Sequence, residues 1–102
     1  MIYIKVFKET ISIKGHAGAG PSGKDIVCAG VSALQETYVY AIQELTDDQL
    51  NSTLSSGLAI MSFPKPITEK GKVLTDAFLL GLKALANTYP DNIMYDDLRD
   101  RY

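Results

Sequence analysis

Ile2, Ile4 and Val6 alternate with Tyr3, Lys5 and Phe7, and Ile11 and Ile13 alternate with Ser12 and Lys14. This two-residue period is that of strands with one buried face. Glu9-Thr10 supplies the turn between them, so the chain is predicted to open on a β-hairpin. A longer period follows Asp25: Val27, Val31, Leu34, Tyr38, Ala41 and Leu45 fall three or four apart and draw one apolar stripe along a helix. Asp25 is a favourable cap for that helix, and Thr46-Asp47-Asp48 closes it. Residues 51–55 and 58–63, separated by Ser56-Gly57, are predicted to form a second hairpin, the first of its strands having the weaker pattern. Pro64 and Pro66 break the chain before Thr68. Leu74, Ala77, Phe78, Gly81, Leu82, Leu85 and Tyr89 then mark a second helix, widened on its apolar side by Leu79 and Leu80 and ended by Pro90. Ile93 to Tyr95 supplies a last edge strand before a charged tail.

The predicted order is strand, strand, helix, strand, strand, helix, strand. Local hairpins favour an antiparallel sheet of about five strands with two helices packed on one face, a two-layer α+β sandwich. At 102 residues the chain is expected to form a single domain, 1–102. Composition agrees with that picture and narrows the function: 46% hydrophobic and 22% charged residues describe an ordinary globular protein. Ten basic and twelve acidic residues are scattered without a basic run, so direct nucleic-acid binding is not expected. No stretch of about 18 apolar residues exists, and residues 1–15 carry three lysines, which predicts neither a membrane span nor a signal peptide. A single cysteine fits a reducing compartment, and a cytoplasmic protein is expected.

That cysteine, Cys28, stands twelve positions after the single histidine, His16. The histidine follows a strand and the cysteine falls in the first turn of a helix, so a thiol and a base are brought to one corner of the fold. A free thiol is only a few per cent ionised at neutral pH, and the amino end of a helix favours the anion. A neighbouring imidazolium favours it further, and the first-turn amides are expected to point outward, toward a tetrahedral oxyanion. Between the two residues, Ala17-Gly18-Ala19-Gly20-Pro21-Ser22-Gly23 has almost no side chains to anchor it and reads as a mobile flap. Asp25 has two competing roles: capping the helix, which propensity favours, or turning toward His16 to fix its tautomer. Ser32, four residues after Cys28, shares its face and either lines the site or bonds its own backbone. One cysteine and one histidine are too few for a structural zinc site, and the chemistry requires neither metal nor cofactor.

The run Gly15-His16-Ala17 followed by Asp25-Ile26-Val27-Cys28-Ala29 resembles the ribosomal-processing cysteine protease family, Prp. The likeness is strongest over Ile13 to Leu34. It continues through the second hairpin's glycine, residues 80–85 and Thr88-Tyr89-Pro90. The resemblance implies a homodimeric cysteine endopeptidase that trims a short N-terminal extension from a large-subunit ribosomal protein precursor. It also implies Cys28 as nucleophile, His16 as its base, Asp25 and Ser32 in support, and a flap that orders over substrate. Gly30 departs from the Cys-Ala-Ala-Val of many relatives, and Ala19-Gly20-Pro21 is an unusual flap. A rival reading is a non-catalytic dimeric assembly factor that binds a ribosomal or phage capsid protein tail through the apolar second helix.

Overall fold

A computed structural model describes residues 1–21 and 25–100. Five strands and two helices follow one another in the predicted order: β1 Ile2–Val6, β2 Thr10–Gly15, α1 Ile26–Leu45, β3 Asn51–Ser55, β4 Leu58–Ser62, α2 Glu69–Thr88 and β5 Ile93–Asp97. The alternation of β1 places Ile2, Ile4 and Val6 under the helices and Tyr3 and Lys5 on the open face. The same face of β2 buries Ile11 and Ile13. Together with Ala59, Met61 and Ile93 these side chains meet Val27, Val31, Tyr38 and Ile42 of α1 and Phe78, Leu79 and Leu82 of α2. The Tyr38 and Phe78 rings stack at 4.3 Å between the two helices, and the Tyr38 hydroxyl pairs with Thr75 Oγ1 at 2.8 Å.

The sheet runs β3-β4-β2-β1-β5. Three of its pairings are antiparallel as expected, but β5 lies parallel to β1, with Ile4 opposite Tyr95. The sheet is therefore mixed, and the cause is a crossover. Both β4 and β1 are antiparallel to β2 and so share a direction. Helix α2 carries the chain back over the sheet, and β5 departs along β4's direction at the far edge. The turn of the first hairpin lies earlier than predicted: Phe7 N–H donates to Thr10 O, and Thr10 already belongs to β2. In the helices, Val39 and Ile42 join the core while Leu45 is exposed, and Leu79 goes inward while Leu80 goes out. All five residues of β3 are exposed, as befits an edge strand.

Each helix starts on a side-chain cap. Asp25 Oδ1 accepts from the N–H of Val27 and of Cys28, each at 3.0 Å. Thr68 Oγ1 accepts from Gly71 N–H, and Thr68 is itself held through its N–H and hydroxyl by Asp48. One end of the sheet thus gathers the start of β1, the end of β2, the amino end of α1, the β3–β4 turn and the residue before β5.

Candidate active site

At that end β2 finishes at Gly15 and delivers His16, whose side chain is solvent-exposed. Cys28 is the third residue of α1 and half-buried. Both residues line one cavity of about 240 Å³, with Ser32 and Gln35 from the next turns of α1 and Ser55, Ser56 and Gly57 from the second hairpin. The structure therefore brings the predicted pair, and Ser32, to the same cavity. Gln35 and the hairpin were not anticipated.

Backbone ties fix the histidine. Gly15 N–H donates to Gly57 O at 2.8 Å, the Met1 amino group donates to His16 O at 2.6 Å, and the imidazole lies against Gly57. A Cβ on Gly57 would stand 2.7 Å from His16 Nε2. The sulfur has a donor of its own: Ala17 N–H points at Cys28 Sγ, 3.3 Å away. Ala17 is buried, 3% exposed, and its carbonyl accepts from Asn92 Nδ2 at 2.9 Å.

Asp25 serves as the cap, and its hydrogen bonds run to α1 and to Ala19 N–H at 3.1 Å rather than to His16. The carboxyl is held below the ordinary 3.8, first by Cys28 N–H, then against some desolvation by Ala19 N–H, the Cys28 thiol and Val27 N–H. One expectation is corrected here. The amides of Val27 and Cys28 do not point outward as free oxyanion donors, because the cap that starts the helix consumes them. A second correction concerns the flap, whose first residues are anchored. Ala17 is a buried part of the site and Ala19 is tied to Asp25, while Gly18 takes a left-handed turn at φ +70°. Gly20 and Pro21 are exposed, and Ser22 and Gly23 lie outside the described residues.

Among the described residues no three His, Cys, Asp or Glu side chains are grouped to hold a metal ion, and no helix is long and apolar enough to cross a membrane. The arrangement offers a thiol and an imidazole on one cavity and an amide aimed at the sulfur, which is the equipment of acyl transfer through sulfur.

Comparison with known proteins points the same way. Residues 1–94 match the family model described as cysteine protease Prp. The ribosomal processing cysteine protease Prp of Mycoplasma pneumoniae is 34% identical over 106 residues, covering 97% of both chains. Its counterpart from Mycoplasma genitalium is 30% identical over 101 residues, covering 95% of this chain and 96% of the relative. In three dimensions the chain is similar to the essential ribosomal processing protease Prp from S. aureus, solved with a covalently linked product peptide. The TM-score is 0.85 at 25% identity, over 94% of this chain and 96% of that one.

Proposed function

The chain belongs to the cysteine protease Prp family, and on that footing we propose that it removes a short N-terminal extension from a large-subunit ribosomal protein precursor, with Cys28 as nucleophile and His16 as general base and acid. As a member of the family it is a cysteine endopeptidase, a hydrolase of peptide bonds. The observation that carries the assignment of residues is the shared cavity of His16 and Cys28 with Ala17 N–H on the sulfur. His16 takes the thiol proton, and the thiolate attacks the scissile carbonyl carbon. The negative charge passes to the carbonyl oxygen, two bonds from the sulfur at which the Ala17 N–H is aimed, and that N–H is the donor nearest to receive it. Collapse expels the amine, which leaves with the proton held by His16. Water, deprotonated by the same imidazole, then cleaves the thioester and restores the thiol.

Asp25 supports the cycle by fixing the helix start that carries Cys28, and Ser32 presents its hydroxyl to the bound peptide. Of the predicted flap, Ala17 stays in place beside the sulfur, and the exposed Gly20 and Pro21 are the part that closes over that peptide. A homodimer is supported by the exposed stripe Val73, Ala77, Leu80 and Ala84 on α2, in which Val73 is 64% and Leu80 67% exposed. The mature ribosomal protein is the product, the work is cytoplasmic, and it involves no direct contact with nucleic acid. Incubation with a precursor carrying its extension is expected to yield a shortened protein with a single new amino terminus. Cys28→Ala is expected to abolish the cleavage, and undiminished processing by that variant would remove Cys28 from the mechanism.

A further inference from the structure

Asn92 is the last residue before β5, and its backbone is committed on both sides. Its N–H donates to Tyr89 O at 3.0 Å and its carbonyl accepts from Ile2 N–H at 2.8 Å. The side chain is left to reach across to the segment leaving β2, 75 residues away in sequence, where Nδ2 donates to Ala17 O. The peptide unit joining His16 to Ala17 is thereby strapped once on its own oxygen and once on the unit that follows it. Its own oxygen, His16 O, accepts from the Met1 amino group, and the carbonyl that follows it accepts from Asn92. Between the two straps lies the N–H that meets Cys28 Sγ.

We propose that Asn92 is a positioning residue for the nucleophile: by holding the Ala17 carbonyl it aims the Ala17 N–H at Cys28 Sγ, where that amide stabilises the sulfur anion and then the charge it passes to the substrate carbonyl. The inference rests on Cys28 being the nucleophile. The Met1 amino group holds one side of the Ala17 amide, but on the other side Gly18 leaves the Ala17 carbonyl free to swing unless Asn92 holds it, and the Ala17 torsions carry that swing to the N–H. A thiolate, which cannot donate, gains most from a donor held in advance. Because Val27 and Cys28 N–H are taken by Asp25, the Ala17 amide is a donor that the cap leaves to the sulfur.

Among the described residues, the titratable groups near the sulfur are His16 on the same cavity, the Asp25 carboxylate at the helix start and the Met1 amino group on His16 O. The remaining cavity-lining side chains are uncharged, and Asp91, next to Asn92, is exposed. Asn92→Leu keeps the branched outline of the side chain, removes the donor and adds no charge, and the backbone bonds of residue 92 do not need the side chain. The rate of Cys28 alkylation by iodoacetamide, followed against pH, is expected to shift upward by about one pH unit in this variant, roughly a tenfold slower reaction at neutral pH. The kcat for peptide cleavage is expected to fall with KM little changed, and Asn92→Gln is expected to recover part of both. Asn92→Ala provides the same readout should the leucine variant fail to fold. Superimposable alkylation profiles for wild type and the folded variant, whatever happens to the melting temperature, would overturn the inference and leave Cys28 as nucleophile. A wild-type thiol that alkylates like free cysteine would overturn both.

Discussion

Substituting Gly57 by alanine tests the placement of His16 by pressing on one atom. The left-handed φ of +73° at Gly57 puts the missing Cβ toward the imidazole, 2.7 Å from Nε2 and 3.3 Å from Cδ2 and Cε1. Ordinary contact begins near 3.4 Å, so the ring has to retreat by about 0.7 Å, the difference of the two distances. The hairpin cannot retreat instead without stretching the bond from Gly15 N–H to Gly57 O, 2.8 Å long. Since the imidazole is solvent-exposed, moving it costs little stability. On the proposed mechanism its cost appears in catalysis, where misplacing a reacting group by about 1 Å is worth roughly a hundredfold. A fall in kcat of about ten- to a hundredfold is expected at a temperature well below melting.

Alanine at a left-handed position also costs about 1–2 kcal/mol of stability. Asparagine tolerates that conformation while carrying the same Cβ, so Gly57→Asn is expected to recover stability without recovering kcat. Thermal melts and steady-state cleavage of a precursor peptide, measured on all three proteins, separate the two effects. Wild-type kcat in a folded Gly57→Ala protein would refute the argument that this glycine exists to admit the imidazole.

Acid should act on the two helix caps. Cys28 N–H chiefly holds the Asp25 carboxyl below 3.8, and the Thr68 hydroxyl does the same for Asp48. A carboxyl with a depressed folded pKa binds fewer protons folded than unfolded. Its stabilisation is therefore complete above the unfolded value and is lost as pH falls from about 3.8 through the lower folded value. Urea midpoints are expected to be flat from pH 7 to 5 and to drop below 4, with a shallower drop in Asp48→Asn. Two helix glycines should respond to alanine with opposite signs. At Gly71 a Cβ would strike Asp48 Oδ2 and stand 2.7 Å from Ile67 Cγ1, so overpacking against the α2 cap is expected to cost about 1–3 kcal/mol. At Gly30 the nearest atoms are Leu85 methyls at 3.5 and 3.7 Å, and alanine is expected to add about 1 kcal/mol through helix propensity. Thermal or urea unfolding measures both, and equal signs would refute the packing argument.

Those contrasts also show which parts of the fold were legible in the sequence. Periodicity reports the face a residue turns to the core, and Ile2, Ile4, Val6, Ile11 and Ile13 were legible for that reason. It does not report which strand lies alongside, and so the parallel β1–β5 pairing was invisible. That partner is chosen by the long path of α2 across the sheet. Where an apolar face is broad, as at Leu79 and Leu80, the 3.6-residue period leaves the edge of the buried stripe open, and packing against α1 decides it. His16 and Cys28 were legible because a short connection between β2 and α1 joins them. The contributions of Gly57 and Asn92 come from elements 41 and 76 positions after His16, and arise only when the hairpin and β5 close on that end of the sheet.

The same closure changes where the charge on sulfur finds support. A helix start alone offers an anion its unpaired N–H groups and the positive end of its dipole. In this chain Asp25 Oδ1 already occupies the N–H groups of Val27 and Cys28, and its carboxylate stands close to the thiol. The proposed mechanism needs a negative sulfur beside that carboxylate, so the cap that builds the helix works against the proposed nucleophile. Offsetting that opposition falls to groups outside α1, namely the His16 imidazole across the cavity and the Ala17 amide at 3.3 Å. Both sit on the β2 extension, and both are held there by bonds to Met1, the second hairpin and Asn92. On the proposed mechanism, reactivity at Cys28 therefore depends on the folded end of the sheet more than on the helix that carries the cysteine. Loosening any of those ties should raise the cost of the thiolate while leaving α1 and its cap intact.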